Sequence, residues 1–586
     1  MLRFPRVLWA AALLALLLGL PALFADHYCD DQVMVLTVEG VEAVPVPGPF
    51  HLYSFMTGAP GERDWLVRAS AIPWWTVDGI RLSFFRPLSS VLLVLDHALA
   101  GRHPLLYHAH SLVWYMLAVL AAALLFRRLL PEREAALAAL LFAVSPAHWM
   151  LSAWPSARHV AISGALSAIA LLLHVEAREQ AVSGSRKLTV GALSCAALAL
   201  CGGETALALF GYVAAYELLG RRERLALRLR ALAPWGALFV AYAALYKGFG
   251  FGVRGAGGYV DPIAQTRSYL ELLPGRVAVY LSAALWCIPS ELSIFLPKSG
   301  RILAALGVAA ALAFVGLLRR AVRVLDTSVH RTLVWLLAGA LLALLPAAAS
   351  MPGDRVLFEV NLALAPALSV LLLHAGRAAE SVALTWLARA GVALFALVHV
   401  ALAPLSFAFG AWQLASTSHL AMDAATKAEI PARPGLAVVG IGLADPLIGM
   451  YLPQSLSLAP RPGPRPSAVQ MLSTSAHDHL VTRTDERSLE ISVVGGTLLE
   501  GPLESLFRPA SAPLRVGDRL PLGAWVVQIL EEIAGRPTRF AVLFDRSLDD
   551  PSLAFLIWKD GALRALAVPR VGERVLVKHE LGPMGI

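Results

Sequence analysis

The chain holds only four cysteines in 586 residues, Cys29, Cys195, Cys201 and Cys287. They are too few and too scattered for a disulfide framework or a zinc site. Charge is scarce too: Asp, Glu, Lys and Arg make up 15% of the chain against 58% hydrophobic residues. With a mean hydropathy of +0.65, a soluble globular fold of this size is excluded. Lysine is nearly missing, with 6 Lys against 43 Arg, a bias of GC-rich genomes that points to a bacterium. The basic excess of 8 forms no nucleic-acid surface. It sits beside apolar blocks at Arg127-Arg128, GRRERLALRLR (220–230) and Arg319-Arg320, as cytoplasmic ends of membrane helices do. Residues 412–586 contain no phosphate loop, nucleophile elbow or metal-spaced cluster. There, His477, Asp478 and His479 read as a solvated loop, since one short tract supplies too few ligands in fixed geometry. No fixed-period repeat appears.

What the chain does have is long apolar blocks, which predict an α-helical polytopic membrane protein of about 11 spans. Arg3 and Arg6 set the start inside, so an uncleaved first helix over about 7–25 delivers Asp26 to the outside. A long outer loop at 26–103 follows, then spans near 105–126, 134–151, 157–174, 188–203, 204–219 and 231–247. The stretch 270–296 reads as an interfacial helix and turn, and spans at 301–318, 332–349, 357–374 and 388–409 complete the set. The membrane domain is thus 1–411, followed by a linker at 412–429. Beyond it, GLAVVGIG, RFAVLFD, LAFLIWKD and RVLVKHE are short alternating runs, so 430–586 is expected to be a β-rich soluble domain, periplasmic in a bacterium.

Immediately after the first span stands FADHYCDDQ (24–32), with three carboxylates and an imidazole. A loop leaving a bilayer must become polar in any case. By this topology, however, other polar residues gather on the same side: Arg86, His108, His110, His148, Trp154, Arg158, Glu204, Asp354 and Arg355. Ionisable residues at membrane depth mark sites. The chemistry they suit is transfer from a lipid-phosphate donor. Asp30 or Asp31 takes the proton of the acceptor hydroxyl. Arg86, His108, His148, Arg158 and Arg355 stabilise the departing phosphate, with His27, Trp154 and Glu204 supporting the acceptor side. No metal ligands are assigned; a divalent cation at the phosphate stays open. The expected partners are a polyprenyl-phosphate sugar, a protein, lipid or glycan acceptor and the bilayer, and no nucleic acid.

Five segments, in order over roughly residues 1–410, resemble one family. HYCDDQVMVL, FFRPLSSVLLVLDHALAGRHPLLYHAH, LFAVSPAHWMLSAWPSARHVAI, CGGETALALFGYVAAYELLGRR and PGDRVLFEV are similar to motifs of GT-C-fold glycosyltransferases. The likeness is to the protein O-mannosyltransferase type (family 39), on the branch shared with the transmembrane, tetratricopeptide-repeat enzymes. It implies an inverting transferase on the outer face of the cytoplasmic membrane, with Asp30 or Asp31 as catalytic base. The chain departs from the family pattern at Ser145 (for His), Met150 (for Glu), Gly203 (for Lys), Ser111 and Tyr115. Those departures keep a second reading open, a non-catalytic transporter or assembly factor for lipid-linked glycans. A third is a membrane anchor that presents the β-rich domain.

Overall fold

The computed structural model describes residues 4–41, 48–180, 182–296, 298–376 and 382–585. Arg3, expected at the inner start, lies outside them. The apolar blocks are helices, and among the described residues eight are long and apolar enough to cross a membrane. Glu132–Ala143 and Pro146–Ala153, bent by 52° at their junction, make a ninth if taken as one span. The chain is a multi-pass membrane protein.

These nine answer to nine of the eleven expected crossings. The two expected at 188–203 and 204–219 are helices as well, Val182–Gly202 and Leu207–Ala215, but neither combines the length and apolarity of the others. Arg186 and Lys187 dilute the first, and the second passes into a π-helical turn, Tyr216–Gly220. Small residues let the helices approach closely, as is usual where packing rather than hydrophobicity joins helices. A Cβ on Gly307 of the Ser299–Val322 helix would stand 1.9 Å from the carbonyl of Ala278. The helix Thr266–Trp286, which carries Ala278, falls in the stretch expected to be interfacial.

The last apolar run corrects the expected linker. It continues as helix from Thr385 to Thr426, 42 residues, or about 63 Å at 1.5 Å per residue. That is about twice a hydrocarbon core of about 30 Å. Its final turns carry Ala421, Ala424 and Ala425 into a core of the C-terminal region.

The C-terminal region is β-rich, as its alternating runs predict. In Ser488–Val494, Leu489, Ile491 and Val493 point inward and their neighbours outward. Six antiparallel strands run in the order Arg574–Val577, Asp478–Arg483, Ser488–Val494, Arg536–Leu543, Trp525–Ile533, Arg519–Leu522. Of the tract His477–His479, only His477 lies before a strand, and Asp478 and His479 open the strand Asp478–Arg483. His479 is buried, with Nε2 2.7 Å from Ser473 Oγ. A second sheet joins Ala562–Ala565, Leu553–Lys559, Ala437–Gly440 and Ala468–Met471.

This region does not stand apart from the loop at 26–103. Met56, Leu66, Trp74, Trp75 and Leu82 of the loop share one core with Leu472, Ile491, Val527 and Phe540 of the sheets. Trp74 Nε1 donates to Leu472 O at 3.1 Å, and Val77 N donates to Phe507 O at 3.0 Å. A large buried side chain contributes roughly 1.5–3 kcal/mol by leaving water, so separating loop from sheets is costly. A small sheet of Ser54–Met56, Arg81–Ser83 and Gly252–Arg254 adds the loop that follows Leu225–Gly248.

Candidate active site

After the first span, a 3-10 turn, Leu20–Phe24, leads to Cys29, whose φ is +47°. A non-glycine residue there is strained by about 1–3 kcal/mol, and such strain clusters at functional sites. Cys29 turns the chain into the helix Asp30–Val38, and both aspartates stand in its first turn, where the helix dipole favours negative charge. Successive side chains on a helix diverge by about 100°, so the pair splits.

Asp31 points into the protein and is 3% exposed. Its Oδ1 accepts from Ser156 N at 2.8 Å and from the Ser156 hydroxyl, and its Oδ2 accepts from Tyr28 N at 3.2 Å. Burial pushes its carboxyl up to about 7 against those hydrogen bonds. The expectation of Asp31 as an alternative base meets a carboxylate already occupied as a clamp between two segments.

Asp30 points the other way, into a cavity of about 770 Å³. Its Oδ1 accepts from Tyr451 Oη at 2.6 Å, and its Oδ2 has no hydrogen-bond partner among the described residues. Burial raises its pKa, while the Tyr451 hydrogen bond, Arg355 and Arg86 hold it down.

Arg86, Trp154, Glu204 and Arg355 line the same cavity. Arg86 sits at the start of the helix Pro87–Ala100. Its guanidinium lies 4.5 Å from the Phe84 ring centre and 4.8 Å from that of Tyr53, and Nε donates to Glu204 Oε2 at 2.8 Å. Tyr246 Oη donates to the other Glu204 oxygen at 3.3 Å. Trp154 Nε1 donates to Tyr28 O at 3.1 Å, tying the outer turn of the bent pair to the Asp30 segment. Arg355 makes no ion pair or hydrogen bond among the described residues, and its charge faces Asp30. A cationic fork without a partner is suited to an anionic ligand such as a phosphate.

The other expected site residues lie off the cavity, and their roles are corrected. His108 is fully buried with Nδ1 2.7 Å from Ala153 O. His148 is packed among Phe142, Phe358 and Tyr115, between Tyr115 Oη at 3.2 Å and Asn361 Nδ2 at 2.9 Å. Arg158, 1% exposed, donates to Asp96 Oδ2 at 2.5 Å. His27 has Nε2 3.0 Å from Arg102 O and its ring against Tyr107. His148 and Arg158 are satisfied by these partners, whereas His27 Nδ1 and His108 Nε2 find no hydrogen-bond partner among the described residues; all four are buried away from the cavity.

Sequence reasoning passed over four cavity residues: Tyr451, His159, Gln454 and Glu359. Glu359, one turn beyond Arg355, is 2% exposed with neither carboxyl oxygen partnered among the described residues. An ionisable residue inside an apolar span was a readable signal for it. Tyr451 and Gln454 had none, being separated from Asp30 by more than four hundred residues. Among the described residues no group of three or more His, Cys, Asp or Glu is placed to hold a metal ion.

The cavity has two characters. Its outer end is polar, and its deeper walls are apolar: Phe239 on Leu225–Gly248, and Leu342 and Leu345 on Thr327–Ala347. Those three are 44%, 41% and 42% exposed, and their helices are among those long and apolar enough to cross a membrane.

No family model and no curated protein matches the chain. Among solved structures it is similar to the oligosaccharyltransferase of Archaeoglobus fulgidus in the apo form. Identity is 14% and the TM-score 0.44, over 80% of this chain and 64% of that one. The same archaeal protein, AglB, in complex with an inhibitory peptide and a dolichol-phosphate gives 13% and 0.43 over the same shares. ArnT from Cupriavidus metallidurans bound to undecaprenyl phosphate gives 15% and 0.36, over 74% of this chain and 84% of that one. The chain thus spans 64% of the length of the archaeal oligosaccharyltransferase it resembles.

Proposed function

We propose that the protein is a membrane glycosyltransferase that moves a sugar from a polyprenyl-phosphate donor to an acceptor hydroxyl. The observation that carries this reading is the cavity's mixed lining: a free carboxylate oxygen and an arginine unpartnered among the described residues, together with apolar walls on helices long and apolar enough to cross a membrane. A donor of this class is mixed in the same way, with an isoprenoid tail that stays in the bilayer and a phosphate at its edge. Arg355, with Arg86 beside it, meets the phosphate and stabilises the charge of the leaving group. Asp30 Oδ2 takes the proton of the acceptor hydroxyl as its oxygen attacks the anomeric carbon from the face opposite the phosphate. That single displacement inverts the anomeric centre. The five ordered motifs support the same chemistry by resemblance. The site then belongs on the outer face of a bacterial cytoplasmic membrane, because Arg127-Arg128 and Arg319-Arg320 mark the inner side.

The test is deletion of the protein from its host, followed by mass spectrometry of the glycans that disappear. Wild-type protein restores them and Asp30→Asn, nearly isosteric and uncharged, does not. Restoration by a stably folded Asp30→Asn protein overturns the assignment of the base and favours a carrier of lipid-linked glycan.

A further inference from the structure

The β-rich region reaches the site through one short helix, Leu452–Leu458, with Tyr451 at its start. Two hydrogen bonds join this segment to the helix Asp30–Val38. Tyr451 Oη donates to Asp30 Oδ1 at 2.6 Å, and Ser455 Oγ donates to Gln32 Oε1 at 2.9 Å. The two bonds differ in kind. The second links one buried amide to one buried hydroxyl, outside the cavity lining. The first takes one oxygen of a cavity-facing carboxylate and leaves the other oxygen free. A phenol offers a single proton, so it fixes the carboxylate's rotation without consuming both of its acceptor faces.

We propose that Tyr451 is a positioning residue: it holds Asp30 so that the free oxygen faces the cavity, which makes the C-terminal region part of the reaction centre. This rests on the reading of Asp30 as the base. The charged and titratable groups around Asp30 are Arg86 and Tyr53 from the loop at 26–103, Arg355 from the turn before Phe358–His374, and Cys29 and Asp31 on its own segment. None of these hydrogen-bonds to the Asp30 side chain among the described residues; Tyr451 alone does. A donor hydrogen bond stabilises the charged carboxylate, so its loss raises the pH at which Asp30 ionises.

The experiment is an infrared pH titration of the full-length protein in nanodiscs, with the Asp30 carboxyl band identified by its absence in Asp30→Asn. Tyr451→Phe is expected to move the Asp30 midpoint upward by about one to two pH units, the value of one hydrogen bond to a charged group. Ser455→Ala, which breaks the neighbouring contact only, leaves it in place. If Tyr451→Phe fails to fold, 3-fluorotyrosine at position 451, a stronger donor of nearly the same shape, moves the midpoint downward. An unmoved midpoint in Tyr451→Phe and the fluorotyrosine protein overturns the proposal, as does an equal shift in Ser455→Ala, which would reduce the role to docking. The reading of Asp30 as base fails separately: Asp30→Asn would then restore the glycans whatever the titration gives.

Discussion

The helix Arg158–Glu179 carries ionic clusters at both of its ends, and they differ in what they leave unused. At the C-terminal end of the helix, Glu217 is fully buried, and its Oε1 accepts from Arg178 Nε at 2.7 Å and lies 3.0 Å from His174 Nε2. Arg178 Nη2 continues to Glu223 at 2.5 Å, and Glu223 also pairs with Arg221. Each charge there has its counterpart, and none of these residues lines the cavity. At the N-terminal end of the helix, Arg158 is paired in the same way with Asp96. Beside it, however, Asp30 Oδ2, Arg355 and the Glu359 carboxyl are left without hydrogen bonds, facing a void. Density of charge is similar at the two ends. Chemistry is marked by unfilled valence next to space, and the saturated cluster is a staple.

The largest break in this comparison comes from Asp30. Asp30→Asn is expected to lower transfer by about 10²- to 10⁴-fold, the worth of a positioned general base, with an unchanged melting temperature in detergent. Next comes the staple. Glu217→Ala leaves Arg178 and His174 buried without their carboxylate, at a cost of about 3–5 kcal/mol. It is expected to lower the melting temperature while transfer per folded molecule stays at the wild-type level. A transfer defect in Glu217→Ala with normal melting would erase the distinction between the two ends. Arg355→Ala follows, with an expected fall of about 10²- to 10³-fold in rate. Arg355→Lys restores part of it, since a point charge remains but the bidentate fork is lost. Initial rates with a polyprenyl-phosphate sugar check both variants.

The bundle was legible because its signal is compositional: a long apolar run must become a helix in a membrane whatever surrounds it. The extended last helix was less so, because the small and polar residues of AWQLASTSHLAMDAAT look linker-like until Ala421 and Ala424 find a core of the C-terminal region. Of the expected site residues, Asp30, Arg86, Trp154, Glu204 and Arg355 meet at the cavity. His27, His108, His148, Arg158 and Asp31 do not, for one physical reason. Their partners, such as Phe358 for His148, Asp96 for Arg158 and Ser156 for Asp31, are brought by tertiary packing, and a sequence cannot show that a polar group is already satisfied. The departure at Gly203 also has a spatial account. A Cβ there would stand 3.0 Å from His159 Cδ2, so the imidazole of His159 crowds any side chain at this position.

The smallest effect sharpens the contrast between the adjacent aspartates. Burial pushes Asp31 up to about 7, while an unfolded aspartate ionises near about 3.9. Between those limits the folded protein holds a proton that the unfolded chain has released. Stability therefore falls as pH rises through that window, by at most about 1.4 kcal/mol per pH unit, and is regained on acidification. Asp31→Asn has no proton to lose, so the difference between wild-type and Asp31→Asn melting curves isolates the slope from every other titration. An absent slope means that the hydrogen bonds from Ser156 and Tyr28 overcome burial and keep Asp31 ionised. Ionisation would then not distinguish Asp31 as clamp, and the direction in which the helix points the two carboxylates would separate base from clamp.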